Sequence, residues 1–93
     1  MTTIEQVNTE QAQRLAERCV AEHGYRAARV LPDGSVAALL DLLFTRAICL
    51  GVTDESWARR FCFEDRALAD RRYAELVSED DEPEGYVARR PQV

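Results

Sequence analysis

Pro32-Asp33-Gly34 is the feature that most limits what this chain folds into. Proline presets φ for the first central position of a turn, and glycine supplies positive φ where the turn needs it. The chain therefore reverses here, between two apolar stretches. A strand over about residues 25–31 enters the turn. What leaves it has two readings. Ser35 caps a helix that runs to Leu50 and stops at Gly51, as the Ala and Leu content favours. Otherwise two strands follow, over about 35–41 and 45–52. Short apolar runs are not separated by periodicity alone.

Arg60-Phe61-Cys62-Phe63 alternates, with both aromatics on one face. Paired antiparallel with Arg46–Leu50, it sets Ile48 opposite Phe63, Leu50 opposite Phe61 and Cys49 opposite Cys62. One face then carries Ile48, Leu50, Phe61 and Phe63 as apolar cross-strand neighbours. The connecting loop is 53–58.

Helices flank this middle. Ala12, Leu15, Ala16, Cys19 and Val20 make a stripe at helical spacing. Asn8 or Thr9 caps that helix, or Thr3 and Gln6 form an earlier capping box, and Gly24 ends it. Glu10–Arg14 and Arg18–Glu22 are spaced as pairs on its wet side. A second helix spans 66–77, capped by Asp65, with Ala69, Tyr73 and Leu76 inward and Leu68 and Val77 beside them. Arg66–Asp70 and Arg71–Glu75 neutralise each other along it. The acids from Glu79 onward face the negative end of the helix dipole and stop it.

Composition bounds the class. Ninety-three residues, 46% hydrophobic and 31% charged, suffice for one globular core. No apolar run spans a bilayer, and the polar start does not read as a signal peptide. A cytoplasmic location is the expectation. Cys19, Cys49 and Cys62 are odd in number and widely spaced, so neither a disulfide framework nor a zinc motif is implied. All twelve basic residues are Arg, which codon usage in a GC-rich genome explains, although Arg also suits bidentate contacts at interfaces. The net charge is −5, and most of it falls after residue 74. Direct DNA binding is not expected, because phosphate contacts need a surplus of cations on one face.

The order ARVLPDGSV, LLFTRAI, RFCFED, a helix and then EPEGYVAR resembles a family of small proteins of unassigned function. Phages, prophages and other mobile elements of GC-rich bacteria encode them. The resemblance covers about Gly24 to Arg89. It implies a helix, an antiparallel meander and a second helix, and so favours strands in the middle. Two positions depart from the family: Arg46 stands where a bulky aromatic is common, and Asp41 where a proline or small residue is. Asp41 amid leucines leaves the inward face of its strand open. The family supplies no catalytic residue.

The expected fold is α+β: helix, four-stranded antiparallel meander, helix, with both helices on one face. An all-α bundle is the alternative. Residues 1–78 form the domain, and 79–93 a loosely ordered acidic tail.

Chemistry is sparse. His23, the only histidine, sits at a helix end, where an imidazolium is favourable, and reads as a cap or surface residue. No catalytic, metal or cofactor site is expected. Trp57, Arg59 and Arg60 lie together at the edge of a polar loop, and Trp and Arg are enriched at interface hot spots. Trp57 either closes the core or anchors a partner there. Glu79, Asp80, Asp81, Glu82 and Glu84 read as solvated charge, or as an electrostatic hook for a basic partner. With the resemblance, these features point to a non-catalytic accessory protein of a phage or mobile element. It would bind and modulate a host protein or ribonucleoprotein complex with a basic surface, in the manner of an anti-CRISPR inhibitor. The alternative is a small structural or regulatory protein that forms a homodimer through a sheet edge.

Overall fold

A computed structural model of the chain describes residues 3–87, with side chains from residue 9 onward. The elements are α1 (Thr3–Ala21), β1 (Ala27–Val30), β2 (Val36–Asp41), β3 (Arg46–Leu50), β4 (Arg59–Phe63) and α2 (Arg66–Glu75). The strands form one antiparallel sheet in the order β1-β2-β3-β4. The α+β class and the four-stranded antiparallel meander are as expected, and the reading of 36–50 as a helix falls away.

The Pro32-Asp33-Gly34 turn does its expected work. Gly34 has φ +88°, and the Asp33 carboxylate accepts the Ser35 amide at 3.0 Å and its hydroxyl at 2.5 Å. Leu31 and Ser35 close the hairpin by a 2.8 Å backbone bond.

The helices lie on opposite faces of the sheet, not on one. Along β2, Val36 and Ala38 pack with Ala16 and Cys19 of α1, whereas Ala37 and Leu39 pack with Ala69 of α2. On β3, Cys49 joins the first group and Ile48 and Leu50 the second. Val36 through Leu39 is therefore buried at every position, as a strand covered on both sides must be.

The register of β3 with β4 differs from expectation by two residues. Ile48 lies opposite Phe61, Ala47 opposite Cys62, and Cys49 opposite Arg60. A two-residue slip keeps every side chain on its face, so Ile48, Leu50, Phe61 and Phe63 still share one core. The loop sets the register: Thr53 and Ser56 close a tight turn, and the Ala58 amide donates to Leu50 O at 3.0 Å. Cys49 and Cys62 are thus diagonal neighbours, too far apart for the direct opposition first expected.

Several local expectations yield to tertiary packing. α1 runs unbroken through Asn8 and Thr9, so neither caps it, and the side chains of Thr3 and Gln6 lie outside the described residues. Gly24, with φ +81°, ends the turn, and the Tyr25 amide reaches back to Cys19 O at 3.1 Å. Val20 is 48% exposed, because α1 lays only Ala16 and Cys19, with Ala12 and Leu15 beside them, onto the sheet. α2 stops at Glu75, two residues early, and Val77 is exposed. Asp65 caps it by accepting the Leu68 amide at 3.1 Å. At its other end the Arg29 guanidinium donates to Tyr73 O and, at 2.8 Å, to Leu76 O. A cation on the terminal carbonyls offsets the dipole that the following acids oppose. The i, i+4 pairs give way likewise: Arg18 binds Asp54, and Asp70 binds Arg46.

Candidate binding surfaces

Asp41 ends β2 and Arg46 opens β3, directly across the ladder. Arg46 is buried, and its guanidinium reaches Asp41 at 2.6 Å and Asp70 of α2 at 2.8 Å. Arg26 and Arg66 approach the same Asp41 carboxylate at 3.1 and 3.5 Å. The Arg46 hydrogen bond above all holds the Asp41 carboxyl below its usual range, with Arg26 adding to it. This cluster answers the doubt about Asp41: it faces α2, where a buried cation needs two carboxylates.

The cluster clamps the base of the β2–β3 hairpin. Leu42 N–H donates to Thr45 O at 2.9 Å, and Arg66 donates to Leu42 O and Leu43 O at 3.3 and 3.4 Å. At the tip stand Leu43 and Phe44, 82% and 81% exposed. Turns are ordinarily built from Gly, Pro, Asn, Asp and Ser. Three bulky apolar residues between two strands were the available signal, and reading 42–44 only as a gap missed it.

Trp57 and Arg60 do come together. Arg60 lies over the Trp57 ring, 5.1 Å from its centroid, and Trp57 is 38% exposed. They line an open groove of about 660 Å³ with Thr45, Phe61, Cys62, Tyr86 and Val87. Tyr86 meets Phe61 edge-to-face with centroids 5.0 Å apart, and the Val87 amide donates to Cys62 O at 2.7 Å. The chain thereby covers part of the outer edge of β4.

Arg59 is separate from this pair. It lies over Phe61 and donates to the backbone carbonyls of Glu79 and Asp81. The expected loose tail from residue 79 is held in this way along 79–87, while 88–93 lie outside the described residues. The Glu79 amide donates to Asp33 at 2.9 Å, Asp81 accepts the Val77 and Ser78 amides, and Arg72 donates to Glu84 O at 3.1 Å. Pro83 is buried. The side chains of Glu79, Asp80, Glu82 and Glu84 remain exposed.

His23 Nε2 and Arg18 both hold the Asp54 carboxylate, at 2.9 and 2.8 Å, and tie α1 to the β3–β4 loop. Burial pushes the Cys49 thiol up to about 12, the opposite of nucleophile activation. Among the described residues no group of three or more His, Cys, Asp or Glu side chains is placed to hold a metal ion. Nor is any described helix long and apolar enough to cross a membrane. No family model matches the chain, and neither a curated protein nor a solved structure matches it significantly.

Proposed function

We propose that this chain is a small, non-catalytic accessory protein of a phage or mobile element that binds and modulates a host protein complex. Inhibition of the anti-CRISPR type is one concrete form. The observation that carries the binding reading is the Leu43–Phe44 tip. Two bulky side chains, more than four-fifths exposed, stand on a hairpin clamped by a buried guanidinium. Exposing them favours nothing in the isolated chain, whereas burying each against a partner is worth about 1.5–3 kcal/mol. A rigid hairpin also spares the partner the cost of ordering it. The mobile-element origin rests on the resemblance of the ordered segments alone.

The exposed acids at 79, 80, 82 and 84 give the reading its electrostatics. They favour a partner with a basic surface and act on the rate of encounter more than on the lifetime of the complex. Site-specific photocrosslinking tests the tip. A benzoylphenylalanine replacing Phe44 should crosslink to a host protein in cells, and one replacing the exposed Val20 should not. Equal crosslinking from both positions would remove the tip as the binding surface.

A further inference from the structure

The groove at the outer edge of β4 is rich in hydrogen-bond donors. Thr45, Trp57, Arg60 and Tyr86 bring to it a hydroxyl, an indole N–H, a guanidinium and a phenol. None of these four side chains makes a hydrogen bond or ion pair among the described residues, and Arg60 only lies over the Trp57 ring. No carboxylate is among the described residues that line the groove. A chain of net charge −5 thus keeps an uncompensated cation at this place. The backbone edge here is already in use: the Val87 amide donates to Cys62 O at 2.7 Å, so a ligand strand is kept from continuing the sheet along β4.

We propose that this groove binds an extended, proline-rich segment of a partner protein that carries an acidic residue. Unpaired donors call for carbonyl oxygens. In a helix or a sheet strand the ligand's carbonyls are taken up by its own secondary structure, whereas in a polyproline II segment every one of them is free. The Trp57 and Tyr86 rings, 38% and 40% exposed, give the pyrrolidine rings of such a segment a surface to pack on, as in other aromatic-lined grooves. The segment is stiff before it binds, so little is lost in ordering it. The acid follows from Arg60. A guanidinium stacked on an indole is held in place with its fork of donors free, and a carboxylate fills that fork with two parallel hydrogen bonds. At about 660 Å³ the groove is the size of a site for a small ligand, so only a few residues of the segment make contact. Leu43 and Phe44 do not line it, so this reading stands apart from that of the hairpin tip.

Trp57 is the only tryptophan, so its fluorescence reports directly on the groove. The probe is a short blocked peptide of alternating proline and alanine with a central glutamate. It should shift the emission of the wild-type chain saturably, with a Kd between micromolar and millimolar. Glutamine in place of the glutamate should weaken binding at least about tenfold, the scale of one charged hydrogen bond. Arg60→Gln should bind both peptides alike, as weakly as the wild type binds the glutamine peptide. Arg60 is exposed, so that variant should keep the wild-type unfolding transition. A glutamate peptide with every proline changed to alanine should bind at least about threefold more weakly, because it has to be ordered first. No saturable shift up to millimolar peptide, a glutamine peptide as good as the glutamate one, or a folded Arg60→Gln chain that still prefers glutamate would each overturn the proposal. Tighter binding of the alanine peptide than of the proline one would overturn it too, and would make the groove a site for strand addition.

Discussion

Asp33 shows how much one side chain carries here. One carboxylate oxygen accepts both the amide and the hydroxyl of Ser35, and the other accepts the Glu79 amide from the far end of the chain. The Ser35 hydroxyl contributes most to lowering its pKa to about 2, with the Glu79 and Ser35 amides assisting. A carboxyl depressed in the folded state stabilises the fold fully above its unfolded value of about 3.8 and loses that contribution as pH falls towards 2. Asp33→Asn should therefore lower stability by about 1 kcal/mol at neutral pH, the scale of solvent-exposed hydrogen bonds. The gap to wild type should close between about pH 4 and pH 2. Urea titrations at stepped pH measure it, and a gap unchanged down to pH 2 would show that the charge is irrelevant. Arg46 makes the complementary point. A lysine lacks the planar fork that reaches Asp41 and Asp70 at once, so the choice of Arg is structural at this position.

β1 and β4 were the most legible strands, because a turn with a mechanism and a period of two mark them: Pro32-Asp33-Gly34 and Phe61-Cys62-Phe63 placed them to within one or two residues, whereas the residues of 35–50 fitted a helix as well as two strands. What alternation does not contain is register modulo two, since a slip of two residues preserves every face. That information lies in the 51–58 loop, where Thr53–Ser56 and Ala58–Leu50 bonds decide it. The placement of the helices was legible but overlooked: Val36-Ala37-Ala38-Leu39 is apolar on both sides, the mark of a strand covered on both faces. The hold on 79–87 was not legible, because much of it runs through backbone carbonyls that the distant Arg59 and Arg72 take up and through the Glu79 amide on Asp33. Gly85 is its tightest point. Its φ is +98°, and a Cβ there would meet Leu68 Cδ2 at 2.6 Å. Gly85→Ala should cost about 1–2 kcal/mol locally. The Val87 amide, bonded to Cys62 O, should then exchange its hydrogen at least about tenfold faster, while amides in β3 keep their protection. Unchanged exchange at Val87 would show that the segment does not depend on that contact.

At the scale of the whole molecule, the two faces of the sheet divide the surface into regions of different character. α2 and the 79–87 segment close one side with a run of exposed carboxylates. α1 closes the part of the other formed by β1 and β2, and Arg60 stands exposed on β4. The hairpin tip projects from one end of the strands, opposite the Pro32–Gly34 turn and the 51–58 loop. The binding reading is tested most directly by affinity capture of the tagged chain from a bacterial host, with wild type, L43D and F44D compared at equal folded concentration. Both positions are solvent-exposed, so both variants should keep the wild-type unfolding transition. Losing about 1.5–3 kcal/mol of apolar burial should lower recovery of the partner at least about tenfold in each variant. Full recovery of the same partner by both folded variants would contradict the account.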